Sequence, residues 1–496
     1  MTRRHKLWLL GFVLFLGAIL PRLLLTTTSR FTEDEAMLWE NSKHFAEGKS
    51  FPLLGPSVSG GSLHHPGAGF YYLMAFSQWV SPTPEAANVW TAIINALGIV
   101  LFWLALRSAF GEVPALLSAI LLCFSPWSLL YSDRIWNPNI SAVLVIIGLW
   151  SAFRVRERPH SRSIALLVFV AGIYPQFHLT APVVWVSLAL LVLGVRKQWN
   201  RKWLFIGVGF LLLAYVPYLV SEFRTGFSNL SAYFSDSRSN HIRAELFRVP
   251  IYAFRLLTLD ITYHELMGYW GSFREWAAFK TLFTGTTEHP FSIFRFGLTV
   301  ASFWFAGWAL KASFQKNSSS SGSKGFGEIR MAIVVGIIAD ALLLGVAKKP
   351  FFAHYLQFFV PFLFLFYARL FQLMLPSKES FRRCLVFCAL FCIGGLETSL
   401  TLSRSLDARN GLQVERQVLE RILQKGGIGE MATLGLGFGF PGGSKFAYQV
   451  LLREAFHQRS LIVSPPGEVN YFLAPVSSRE TGELLGPIVL IPGIRG

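Results

Sequence analysis

Charged residues are scarce in this sequence, and their scarcity limits the kind of protein it can encode. Only 15% of the 496 residues are charged, whereas 53% are hydrophobic. A water-soluble protein of this length needs far more charge to cover its surface. The apolar residues lie in long runs, and most runs approach the roughly 20 residues that cross a hydrocarbon core of about 30 Å. The sequence therefore excludes a water-soluble protein and predicts an all-α protein that crosses a membrane many times.

Paired cysteines and glycine-rich phosphate-binding loops are also missing. The four cysteines form no CxxC pair, and all of them lie in apolar runs. Cys384, Cys388 and Cys392 recur every fourth residue, which places them on one helix face without matching a familiar metal site. The glycine-rich run 435–439 lacks the strand and helix that flank a nucleotide-binding loop. The sequence therefore predicts small apolar cysteine side chains and no nucleotide-sugar site.

Eleven hydrophobic runs predict a bundle of about eleven transmembrane helices. The runs cover residues 7–25, 86–107, 113–131, 138–153, 163–178, 180–195, 203–220, 290–310, 329–347, 352–374 and 384–402. Segment 68–80 is apolar but too short to span the bilayer, so it is predicted to be an interfacial or re-entrant helix.

Acidic residues are fewer than basic ones, and the net charge is +17. Contacts with nucleic-acid phosphates are one explanation, and the concentration of Lys and Arg in short cytoplasmic loops is the other. If the N-terminus lies in the cytoplasm, the basic loops all fall inside, at residues 107–112, 154–163, 196–202, 311–330 and 375–383. Among the short outside connections, only the one with Lys348 and Lys349 departs from this rule. The distribution favours contact with membrane lipids and no nucleic-acid partner.

This orientation predicts how the chain is divided. A transmembrane core covers residues 1–402, with extracytoplasmic loops at about 26–85 and 221–289. A small extracytoplasmic region follows at 403–496, with helical character at 411–425 and short apolar runs after it. We expect a small mixed α/β extension there.

An acidic triplet, Glu33, Asp34 and Glu35, follows the first predicted span on the outside. Adjacent carboxylates repel one another, and a carboxylate at the membrane surface can act as a base or bind a cation. The alternative is a solvated acidic turn that caps the following helix at 36–45.

Four further polar clusters fall on the same outer face. They are His64-His65-Pro66, Asp133-Arg134, the turn from Tyr174 to His178, and Lys348-Lys349 with His354-Tyr355. Each has an ordinary alternative: a turn, a surface ion pair, wet loop groups, or contact with lipid headgroups. Their convergence on one face of the membrane favours a functional site.

The order of these motifs resembles the GT-C superfamily. It is similar in particular to bacterial relatives of protein O-mannosyltransferases and to the lipid A aminoarabinose transferase. The resemblance is carried by Asp34-Glu35, His65-Pro66, Trp136-Asn137-Pro138 and the late stretch that contains His354-Tyr355, and it covers residues 7–402. It departs from the family at Glu33, which makes the acidic motif a triplet, and at Gly67, where relatives often have a second proline.

The resemblance implies a transferase that uses a polyprenyl-phosphate sugar on the extracytoplasmic face of a bacterial inner membrane. Asp34 would be the catalytic base, with Glu35 beside it to orient groups or hold a cation, so a divalent cation stays open. The implied substrate-binding residues are Glu33, His65, Asp133, Arg134, His178, Lys348, Lys349, His354 and Tyr355. The acceptor would be a lipid, a glycan or a protein, and a single attack on the anomeric carbon would invert its configuration.

A transporter or flippase of lipid-linked sugars is the main alternative. Such proteins place polar residues at the middle of the membrane. Here the span centres are mostly free of charge and the polar groups lie at one end, which favours an enzyme. Asp340, inside the predicted span 329–347, is the exception.

Overall fold

The computed structural model is mostly helical and describes most of the transmembrane core. The described residues are 2–29, 31, 33–58, 62–235, 242–261, 293–314, 323–347, 353–375, 377–410 and five strands between 433 and 492.

Helices occupy every predicted span. Those in the first half of the chain are α1 (Arg3–Thr26), α2 (Glu33–Ala46), α3 (Gly69–Val80), α4 (Pro84–Phe110), α5 (Glu112–Phe124), α6 (Pro126–Leu129), α7 (Pro138–Glu157), α8 (Ser163–Ile173), α9 (Ala181–Val192), α10 (Arg201–Thr225) and α11 (Ser228–Ser235). Those in the second half are α12 (Ile242–Arg255), α13 (Ile293–Ser313), α14 (Ser323–Ala347), α15 (Val360–Met374) and α16 (Lys378–Asn410). Short 3-10 helices lie at Tyr174–Gln176, Leu193–Gln198 and Ala353–Phe359.

Seven helices of the described residues are long and apolar enough to cross a membrane, and two shorter apolar helices, Glu112–Phe124 and Ser163–Gln176, lie between them. The prediction of an all-α membrane-spanning bundle is confirmed. The number of eleven spans stays a prediction.

Proline and glycine set several helix boundaries. Pro84, Pro126 and Pro138 lie in the first turns of α4, α6 and α7, where a missing N–H costs no helical hydrogen bond. Gly111 and Gly226 end α4 and α10 with φ of 91° and 62°, values that favour glycine. Pro126 and Pro138 therefore set where the helices on the two sides of the polar turn between α6 and α7 begin.

The most buried span is α15, and its side chains form the centre of the bundle. Phenylalanine fills much of this core, because large planar rings bury extensive apolar area. By contrast, α10 is mostly exposed at the periphery, as expected of a helix that faces lipid. Where α5 and α16 meet, a Cβ at Gly395 would overlap the carbonyl of Phe124, so the glycine permits close packing.

The segment from Ile242 to Ile261, which lies within the predicted outer loop 221–289, packs among the spans. Helix α12 packs along α14, and the hydroxyl of Tyr367 in α15 donates to the carbonyl of Leu257 at 2.6 Å. The sequence pattern did not indicate this helix, because charged residues and Pro250 interrupt its apolar positions. The remainder of that predicted loop, from 262 onward, lies outside the described residues.

Five strands lie in the predicted C-terminal region: β1 (Thr433–Leu436), β2 (Ile462–Ser464), β3 (Tyr471–Pro475), β4 (Glu483–Leu485) and β5 (Ile488–Pro492). Their order is β2-β1-β3-β5-β4, with β1 parallel to both β2 and β3, and β5 antiparallel to both β3 and β4. The predicted helix at 411–425 lies outside the described residues, and α16 continues to Asn410.

Candidate active site

A buried ionic network joins the acidic motif to the polar turn between α6 and α7. Arg134 Nε donates to Glu35 Oε1 at 3.1 Å, and Arg134 Nη1 contacts Asp133 Oδ1 at 3.4 Å. All three side chains are essentially inaccessible to solvent. Glu35 is far in the sequence from the adjacent residues Asp133 and Arg134, and the structure brings the three side chains together.

Arg134 retains capacity to bind another group. Its guanidinium lies over the ring of Trp136, 5.1 Å from the centroid, a cation–π contact that adds stabilisation where water is excluded. Its Nη2 is buried and has no hydrogen-bond partner among the described residues. Since an unmade hydrogen bond on a buried charged group is costly, this nitrogen is a candidate donor to a bound anion.

Buried asparagines hold the backbone around Arg134. Asn88 in α4 accepts from the N–H of Ile135 at 2.8 Å and donates to Ser29 Oγ at 2.7 Å. Asn139 Nδ2 donates to the carbonyl of Arg134 at 3.0 Å. These bonds join the turn to the segment after the first span. Asn139 belongs to the polar turn that the sequence indicated, whereas sequence reasoning missed Asn88, although an asparagine within an apolar run was an available signal.

Asp34 is exposed, whereas its neighbour Glu35 is buried. Both lie in the first turn of α2, where successive side chains point about 100° apart around the helix axis. A base must be within reach of the hydroxyl that it deprotonates, so the exposed position suits the predicted role of Asp34. Glu33 begins the same helix, and its side chain lies outside the described residues.

His65 uses both ring nitrogens within the protein. Its Nδ1 lies 3.1 Å from the carbonyl of Pro175, which can only accept, so Nδ1 carries the proton. Its Nε2 then accepts from Asn137 Nδ2 at 3.3 Å. Burial lowers the pKa of His65 to about 4, because the charged ring loses hydration, and the ring is neutral at physiological pH. These contacts favour a positioning role for His65 over direct contact with substrate, and they join His65-Pro66 to Trp136-Asn137-Pro138.

The geometry explains the glycine at position 67. Gly67 has φ of 120°, and a Cβ there would lie 2.7 Å from the side-chain amide carbon of Gln176. The same amide accepts from the N–H of Gly69 at 3.0 Å. Gly67 therefore lets the first outer loop dock closely against the turn that follows α8.

A cluster of aromatic and imidazole rings continues from Trp136. The ring of His354 lies 4.7 Å from that of Trp136 and 4.6 Å from that of Tyr355. The ring of His178 lies 5.6 Å from that of Tyr355 and 6.3 Å from that of His354. The structure thus brings together His178, His354 and Tyr355, three candidates taken from two separate sequence clusters.

The roles of Lys348 and Lys349 and the binding of a divalent cation, which the sequence left open, stay predictions. Lys348 and Lys349 lie outside the described residues. Within the part of the chain that the structure describes, no group of three His, Cys, Asp or Glu side chains is arranged to hold a metal ion.

Comparisons with known proteins agree with this architecture. A family model described as dolichyl-phosphate-mannose-protein mannosyltransferase matches residues 64–220, which is less than half of the chain. Among curated proteins, none matches the sequence significantly.

Solved structures are similar over most of the chain. ArnT from Cupriavidus metallidurans bound to undecaprenyl phosphate has 12% sequence identity and a TM-score of 0.56, covering 91% of this chain and 89% of its own. The same protein in the apo state has 13% identity and a TM-score of 0.56, with coverage of 91% and 85%. The oligosaccharyltransferase of Archaeoglobus fulgidus in the apo form has 12% identity and a TM-score of 0.50, with coverage of 95% and 70%.

At this level of identity, the similarity to solved structures establishes the fold. The predicted resemblance to the GT-C superfamily is confirmed, and the chain is an integral membrane protein with the GT-C fold. The roles of individual site residues stay predictions.

Proposed function

Since the chain has the GT-C fold, we propose that it is a membrane glycosyltransferase that uses a lipid-linked sugar. We further propose that the donor is a polyprenyl-phosphate sugar and that transfer occurs on the extracytoplasmic face of a bacterial inner membrane. The acceptor is a lipid, a glycan or a protein. The observation that carries the proposal is the exposed Asp34 beside the buried network of Glu35, Arg134 and Asp133.

Asp34 is the base in the proposed reaction. It takes the proton of the acceptor hydroxyl while the acceptor oxygen bonds to the anomeric carbon and the bond to the donor phosphate breaks. The electron pair of that bond leaves with the lipid phosphate, so negative charge grows on its oxygens. One displacement of this kind inverts the anomeric configuration.

In this mechanism, the leaving phosphate accepts hydrogen bonds from charged and neutral donors. Arg134 has an available nitrogen in an environment shielded from water, where charge-assisted hydrogen bonds are strong. Lys348, Lys349 and His354 are further candidates from the sequence. Glu35 and Asp133 hold the guanidinium of Arg134 in place. A divalent cation stays a prediction, and each step proposed here uses only side chains of the chain.

A flippase of lipid-linked sugars is the second candidate, and Asp340 in α14 is the observation that favours it. This carboxyl group is buried within a span, and neither oxygen has a hydrogen-bond partner among the described residues. Acidic groups at such depth often mark transport pathways. In contrast, the network around Arg134 and the ring cluster lie at connections between spans, which supports the enzyme more strongly.

Mass spectrometry of a strain that lacks the gene tests the proposed function. Lipids, glycans and proteins of the deletion strain should lack one sugar residue that the parent strain carries, and the complemented strain should regain it. The free polyprenyl-phosphate sugar should accumulate in the deletion strain, because its consumer is absent. Identical sugar content in both strains would contradict glycosyl transfer by this protein.

A further inference from the structure

His178 lies in the turn between the 3-10 helix Tyr174–Gln176 and α9, and its Nδ1 has two partners from one residue. The backbone N–H of Thr180 donates to Nδ1 over 3.3 Å, and Thr180 Oγ1 lies 2.9 Å from the same nitrogen. The side chain is almost completely buried.

These contacts fix which nitrogen of His178 carries the proton. A backbone N–H can only donate, so Nδ1 must present its lone pair. Because Nδ1 accepts, the ring carries a single proton, which is on Nε2, and the ring is neutral.

Tyr174 supports the same arrangement from the other side of Thr180. The Thr180 hydroxyl donates its proton to Nδ1, so it is free to accept from the hydroxyl of Tyr174, which lies 3.4 Å away. The direction of hydrogen bonding therefore runs from Tyr174 through Thr180 to His178. This arrangement needs a hydroxyl at position 180, because the same group donates to His178 Nδ1 and accepts from Tyr174.

The Nε2–H of His178 makes no hydrogen bond to any residue in the described ranges. The surrounding rings belong to His65, His354 and Tyr355, at centroid distances of 5.6 to 6.5 Å. His65 already uses both of its nitrogens, whereas His354 and Tyr355 are partly exposed. The cluster thus offers a donor beside partly exposed rings and continues through Trp136 to Arg134.

We propose that Thr180 is a positioning residue that fixes His178 as a neutral Nε2–H donor to a phosphate oxygen of the lipid-linked substrate. The inference rests on the proposed function, because that function supplies the phosphate. On the side of the ring cluster, the neutral Nε2–H of His178 donates a hydrogen bond to a phosphate oxygen and adds no second positive charge. Arg134 supplies the charged donor, and His178 supplies a directional one.

Binding of polyprenyl phosphate to the full-length protein in nanodiscs tests this role. Thr180→Val removes the hydroxyl at nearly constant volume, and it should weaken binding about threefold to tenfold, the range for one hydrogen bond. The matched control Thr180→Ser keeps the hydroxyl and should bind as the wild type does. Polyprenol, which lacks the phosphate, should bind both variants equally.

A double-variant comparison separates positioning from a general packing effect. His178→Phe removes the donor, and Thr180→Val added to it should cause no further loss, because Thr180 acts through His178. If His178→Phe does not fold, Tyr174→Phe should weaken binding less than Thr180→Val does. Wild-type affinity in Thr180→Val, or equal losses in Thr180→Val and Thr180→Ser, would overturn this inference alone. Failure of the wild type to bind polyprenyl phosphate would overturn the proposed donor as well.

Discussion

Asp34→Asn is expected to lower sugar transfer about 10²- to 10⁴-fold, the contribution that a positioned base makes. The amide has nearly the same shape as the carboxylate but cannot accept the proton of the acceptor hydroxyl. Asp34 is exposed and Asn has nearly the same volume, so the substitution introduces no steric clash into the fold. The expected result is therefore an abundant, correctly inserted protein without activity.

The measurement is product formation in the deletion strain complemented with each variant, normalised to the amount of protein in the membrane. Glu47→Gln is the matched control, because Glu47 lies in the same predicted outer loop and, among the described residues, its carboxylate pairs with the exposed Lys49. This control should retain wild-type activity. Full activity in Asp34→Asn would remove Asp34 from the mechanism.

Arg134→Met is expected to destabilise the protein by about 3–5 kcal/mol, the usual cost of removing one partner from a buried ion pair. The substitution leaves the carboxylates of Glu35 and Asp133 buried without their shared guanidinium. It also removes the cation over Trp136 and the available nitrogen that we assign to the donor phosphate. Unfolding of the purified protein in detergent gives the change in free energy.

Arg154→Met is the control for Arg134→Met. Arg154 pairs with Glu157 at 3.2 Å, and both side chains are substantially exposed, so solvent screening reduces the expected loss to about 0–1 kcal/mol. Combining Glu35→Gln with Arg134→Met should cost less than the sum of the two single changes, because each change removes a partner of the other. Equal destabilisation by Arg134→Met and Arg154→Met would contradict a buried structural network.

The spans could be predicted because a long apolar run in lipid must satisfy its backbone hydrogen bonds internally, as a helix does. Helix α12 could not be predicted in this way, because Pro250 and charged residues interrupt its apolar pattern. Its place beside α14 depends on contacts such as that of Leu257 with Tyr367, which are distant in the sequence. Such pairings cannot be derived from a local pattern.

The candidate site could be predicted as a set of residues but not as a set of contacts. Topology placed Glu35 and Arg134 on one face, but only the rotation of α2 decides that Glu35 is buried while Asp34 is exposed. Similarly, the role of His65 depends on the carbonyl of Pro175 and the amide of Asn137, neither of which is near it in sequence. Hydrogen-bond partners of this kind decide chemistry and need the folded structure.

The proposal requires that the first outer loop and the loop after α7 lie on opposite sides of the membrane. Cysteine labelling in right-side-out membrane vesicles measures this directly. Ser62 and His160 are exposed positions in these two loops, and the native cysteines are buried or partly buried, so the unmodified chain serves as the background control. An impermeant maleimide should label Ser62→Cys before lysis and His160→Cys only after lysis. Labelling of both positions from the same side would contradict an extracytoplasmic active site.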